Sequence, residues 1–214
     1  SPFIMQFTES VISVCFNTSL QRYGGDIAVG AMAILTSVMQ ICMLPLQGLT
    51  QGAQPIISFN YGAGKLERVK KAFRLLLAAS MCFSTLVWAI AMFLPQAFIA
   101  IFTSDPELTS YTIWAIRIYM AASLLFGIQI ACQQTFIALG NAVTSVFLAL
   151  LRKVILLIPL IFILPLFMTN KPFGVFLAEP VADTIAVTVT GLLFLRQYRK
   201  LSVGSRNTSS IENV

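Results

Sequence analysis

Apolar side chains in this sequence come in six long runs, near 2–22, 27–59, 69–101, 109–138, 143–168 and 173–196, divided by short polar breaks. A helix needs roughly 20 apolar residues to cross the hydrocarbon core of a bilayer at about 1.5 Å of rise per residue. Each run is long enough. The chain is therefore expected to be an all-α polytopic membrane protein, with six transmembrane helices forming one lobe over 1–200. The polar stretch 201–214 lacks apolar periodicity and is expected to be a disordered cytoplasmic tail. The second and third runs exceed 30 residues and must tilt, kink or project into water; Pro45 and Pro55 offer kink sites in the second.

Composition supports the same class. Of 214 residues, 57% are hydrophobic and 10% charged, with a mean hydropathy of +0.86, whereas about a quarter of a soluble domain is charged. A net charge of +6 would point to nucleic acid in a soluble protein. Here the basic residues lie between apolar runs instead of forming a patch, so they are topology signals and no nucleic-acid partner is expected. The cysteines, Cys15, Cys42, Cys82 and Cys132, lie in separate runs, and the chain has no histidine. Zinc sites, disulfide scaffolds and histidine-dependent hydrolysis are thus improbable, and neither an enzyme nor an organic cofactor is expected. The stretch Tyr61–Lys65 lacks the first glycine, the Ser/Thr and the preceding strand of a phosphate-binding loop. The chain opens on Ser1-Pro2 directly ahead of an apolar run, and reads as a segment that starts partway through a longer protein.

Short breaks make consecutive helices antiparallel neighbours. Lys65, Arg68, Lys70, Lys71, Arg74, Arg152, Lys153, Arg196, Arg199, Lys200 and Arg206 then fall on one side, and Arg22, Arg117 and Lys171 on the other. Loops rich in Lys and Arg stay in the cytoplasm. This split, with Arg152 and Lys153 taken as lying early in the fifth helix, places both ends of the segment on the cytoplasmic face of the cell membrane.

Polar groups inside spans should face a bundle interior or a watered cavity. Gln6, Glu9, Ser13 and Asn17 recur at helical spacing on one stripe of the first helix, and Glu9 is its one carboxylate. An acid in that setting can take up and release a proton or another cation; the alternative is a carboxylate satisfied by a neighbouring helix. Gln40, Gln47, Gln51, Gln54 and Ser58 share a face of the second helix, as helix glue or as cavity lining. The fourth helix carries Arg117, Gln129, Gln133 and Gln134, and the sixth carries Glu179 and Asp183 one turn apart. Equal depths make Arg117 with Glu179 and Asp183 the expected intramembrane ion pair, either structural or part of a cation or substrate path. Gln6, Ser13, Asn17, Gln40, Gln129 and Gln133 are the candidate cavity-lining residues.

The stretch from Gly48 through Gln51-Gly52-Ala53-Gln54-Pro55 to Tyr61-Gly62-Ala63-Gly64, followed by Lys65-Leu66-Glu67-Arg68-Val69-Lys70, resembles the multidrug and toxic compound extrusion family. Pro2-Phe3-Ile4-Met5-Gln6 with Thr8-Glu9, Leu139-Gly140-Asn141 and Glu179-Pro180-Val181-Ala182-Asp183 add to it. The resemblance implies helices seven to twelve of a twelve-helix, two-lobe transporter, with an amino-terminal six-helix lobe as partner. It implies export of small amphipathic, often cationic compounds in exchange for sodium ions or protons, with Glu9 as the coupling carboxylate. In related branches that glutamate is paired with an acid in helix ten, where this chain has Ile128 and Gln129. A lipid-linked oligosaccharide flippase of the same superfamily is the alternative, although its cavity should carry more Arg and Lys.

Overall fold

The computed structural model describes residues 2–211, with side chains described over 7–198 apart from Ala142. All regular structure among the described residues is helical. Helix α1 (Pro2–Gly62) is interrupted at Gly25, whose φ of 68° and ψ of −163° are not helical, so it consists of two arms, 2–24 and 26–62. Helices α2 (Leu66–Phe93), α3 (Pro95–Ile99), α4 (Pro106–Tyr119) and α5 (Phe126–Ala138) follow, with a 3₁₀ turn at Ser123–Leu125. Then come α6 (Ala142–Leu150), a π-helical stretch (Leu151–Leu157), α7 (Ile158–Phe167) and α8 (Lys171–Ile211).

By length and composition four helices can cross a membrane: Phe7–Gly62, Leu66–Phe93, Val143–Phe167 and Lys171–Tyr198. The α4 and α5 pair, bent by 45° at the 3₁₀ turn, makes a fifth. The first of the four is 56 residues long and contains the Gly25 break. Its two arms fold into one core: Ile12, Phe16 and Leu20 from the first join Ala28, Leu35, Val38 and Cys42 from the second. An unbroken helix would hold Ile12 and Cys42 roughly 45 Å apart. The chain is an all-α polytopic membrane protein.

Local chemistry explains the remaining breaks. Pro95 and Pro106 occupy helix starts, where a missing N–H costs nothing. Asp105 caps α4, its side chain accepting from the Glu107 N–H at 2.9 Å. The two glycine-containing loops of the sequence motif end their helices in the same way. Lys65 N–H bonds Asn60 C=O and Gly64 N–H bonds Tyr61 C=O; Asn141 N–H bonds Phe136 C=O and Gly140 N–H bonds Ile137 C=O. With Gly64 at φ 71° and Gly140 at φ 80°, both are Schellman caps. Asn141 then caps α6 through the Thr144 N–H and hydroxyl.

One expectation is corrected here: the run 69–101 is not one helix, because Pro95 ends α2 at Phe93 and starts α3. The run 109–138 is a single span broken by a 45° bend. Of the polar stretch 201–214, α8 takes in the part up to Ile211, and 212–214 lie outside the described residues.

A second core cluster gathers Ile57, Phe73, Leu76, Phe136, Leu148 and Phe194 at the other end of the bundle. Phe73 and Phe194 lie 4.5 Å apart there. Large apolar side chains such as Phe59, Leu75, Leu86, Val143 and Phe167 are exposed, as expected of surfaces whose solvent is lipid.

Candidate functional site

Five charged side chains meet where α1, the π-helical stretch and α8 approach. Glu179 and Asp183 lie one turn apart on α8 and are buried. Between them sits the guanidinium of Arg152: Nη2 donates to Glu179 Oε1 at 3.0 Å, and Nε donates to Asp183 Oδ1. Its Cζ also stands 5.6 Å from the centre of the Phe126 ring, so the cation has an aromatic face as well as two carboxylates. Tyr119 is buried within electrostatic reach of the same three groups. Beside Arg152, Lys153 pairs through Nζ with Glu9 Oε1. Glu9 keeps half of its side chain exposed, and Lys153 a fifth.

The carboxylate partner on α8 is therefore Arg152, which corrects the expected pairing with Arg117. Arg117 is exposed, while its neighbours Ala115, Ile116 and Tyr119 are buried. Its helical phase turns it away from α8. Arg152 and Lys153 are the tenth and eleventh residues of the 25-residue span Val143–Phe167, roughly 14 Å along it, inside the span and short of its midpoint. The sequence held a signal for this pairing. Arg152 lies 16 residues before the short turn at 168–170 and Asp183 13 after it, and antiparallel helices bring such positions within about one turn of each other.

Both cations lie on the π-helical stretch Leu151–Leu157. Such i→i+5 turns are rare and concentrate at functional sites. Placing two cations inside a span is expensive unless each is paired. Here each has a carboxylate.

The other predicted residues divide in two. Along the first arm of α1, Glu9, Ser13 and Asn17 are all exposed, and Asn17 lines an open groove with Thr18, Gln21, Arg22 and Val29. Gln40, Gln47 and Gln51 on the second arm are exposed as well. The Gln6 side chain lies outside the described residues. By contrast, the far end of the glutamine row is helix glue. Gln134 Nε2 donates to Gln54 Oε1 at 2.6 Å, and the Ser58 hydroxyl donates to the Ala138 carbonyl at 3.0 Å. Gln133 reaches the Ser145 carbonyl at 3.4 Å. Gln129 is buried with neither amide atom hydrogen-bonded among the described residues.

The MatE family model matches residues 2–163. The multidrug export protein MepA of Staphylococcus aureus is 26% identical over 196 residues, covering 89% of this chain and 42% of MepA. The FAD transporter of Shewanella oneidensis is 26% identical over 180 residues, covering 78% of this chain and 40% of that protein. Among solved structures, the MATE multidrug transporter DinF-BH superposes with a TM-score of 0.77 at 32% identity, over 91% of this chain and 43% of that one. A multidrug resistance MATE family transporter is matched in its inward-facing conformation with a TM-score of 0.85 at 17% identity, over 92% and 46%. The chain thus spans less than half the length of the relatives it matches. It belongs to the MatE family, the multidrug and toxic compound extrusion transporters.

Proposed function

We propose that this chain is the carboxy-terminal lobe, helices seven to twelve, of a secondary active antiporter that exports small amphipathic organic cations in exchange for sodium ions or protons. The observation that carries this reading is the uncovered polar stripe of Glu9, Ser13 and Asn17 on the first arm of α1, with Gln40 and Gln47 uncovered on the second. Hydrocarbon cannot solvate such a stripe, so a second wall must stand opposite it with water between. A matching lobe supplies that wall, and alternating access follows from rocking the two lobes about the enclosed site. In this reading six segments cross the cell membrane, the two arms of α1 counting separately. Setting Arg152 and Lys153 aside as intramembrane residues leaves nine cytoplasmic cations against three, so both ends of the segment stay cytoplasmic.

The charge balance bears on substrate. Glu9, Glu179 and Asp183 outnumber Arg152 and Lys153, which favours a cationic cargo over one bearing phosphates, and so over the flippase reading. Coupling requires that cation binding at Glu9 favour one access state over the other. In cells lacking other pumps, the full-length protein should clear a fluorescent cationic dye, and Glu9→Gln should reduce the clearance at least tenfold at equal membrane expression. Undiminished efflux in that variant removes Glu9 from coupling.

A further inference from the structure

We propose that Lys153 is a tethered counter-ion which occupies the Glu9 carboxylate between transport events and is displaced by the incoming coupling cation; this deepens, and rests on, the reading of Glu9 as the coupling acid. Three observations lead there. First, Glu9 Oε1 is already engaged by Lys153 Nζ, so a cation that takes both carboxylate oxygens competes with that ammonium. Second, the two cations are held differently. Arg152 bridges both carboxylates of α8, a fork that fixes it in place. Lys153 has a single carboxylate partner among the described residues, on a flexible four-carbon stem. Third, an acceptor beside Arg152 is unfilled: Asp183 Oδ2 is buried and has no hydrogen-bond partner among the described residues, while Asp183 Oδ1 is held by Arg152, the residue next to Lys153.

The groups facing this site are Glu9 from α1, Arg152 and Lys153 from the π-helical stretch, Glu179 and Asp183 from α8, and Tyr119 from α4. Three carboxylates against two cations leave room for one more positive charge. In the exchange, one monovalent cation or proton takes the Glu9 oxygen. The Lys153 ammonium shifts toward Asp183 Oδ2, and no covalent bond changes. When the cation leaves, Lys153 returns to Glu9, so the empty carboxylate never stands unpaired inside the membrane. The built-in competitor sets how easily the driving ion is released.

The test uses the full-length protein in proteoliposomes, with dye exchange driven by a sodium gradient in one set and a proton gradient in another. Lys153→Met should lower the half-saturating concentration of whichever ion drives exchange by about tenfold, the scale of one charge-assisted contact. It should also lower the maximal rate, because the ion is released more slowly. Lys153→Arg should keep the half-saturating concentration within about threefold of the parent. Lys153→Gln serves as a second neutral variant should the Met protein be lost from the membrane. A half-saturating concentration unchanged in the neutral variants, with Glu9→Gln inactive, overturns the counter-ion role alone. Glu9→Gln exchanging like the parent overturns the coupling reading and this inference together.

Discussion

Arg152 is the side chain on which the site depends most. It is four-fifths covered and holds two buried carboxylates. Deleting one partner of a buried ion pair leaves uncompensated charge, at a cost of about 3–5 kcal/mol. Arg152→Met in the full-length protein should therefore lower the thermal midpoint in detergent sharply or abolish membrane accumulation. Arg117→Gln, at an exposed position, should change stability by less than about 0.5 kcal/mol. Equal losses from the two substitutions would reverse the assignment of partners. The sequence showed the acids clearly, because Glu9, Glu179 and Asp183 are conspicuous in apolar surroundings. It hid their partners. A basic residue ten positions into a span resembles a loop-flanking topology signal, and helical phase, which separates Arg117 from Ile116, is only a weak guide when nearly every face is apolar.

At the scale of elements, the loops and caps were the most legible features. The glycine and asparagine positions of the family motifs are the caps seen in the structure, since Gly64 and Gly140 take up a left-handed conformation that ends a helix. Bends inside spans were harder to foresee. Neither the 3₁₀ turn after Met120 nor the π-helical stretch contains a proline or glycine. The π-helical stretch does run up to Pro159, whose missing N–H and ring disturb the turn before it. Close helix approach is similarly concealed. A Cβ added at Gly127 would lie 2.7 Å from the Ser80 carbonyl oxygen of α2, whereas one at Gly48 meets nothing. Gly127→Ala should push α2 from α5 and cost about 1–3 kcal/mol. Gly48→Ala should be neutral or stabilise by up to about 1 kcal/mol through helix propensity. Thermal unfolding of both variants in detergent checks the contrast.

For the whole molecule, the lobe matches an outward-facing MATE structure with a TM-score of 0.84 and an inward-facing one with 0.85. In the proposed two-lobe reading, lobes that move as rigid bodies would keep one internal fold in both access states. The chain expressed alone should insert into membranes yet produce no dye efflux above background, while the full-length protein does; efflux from the isolated lobe would show that the opposing wall is dispensable. The open groove beside Asn17 and Arg22 adds a consequence for biogenesis. In the proposed two-lobe reading, that groove is a face which only the companion half covers, so a copy that has not met it keeps these polar groups open, at a cost wherever they meet lipid instead of water.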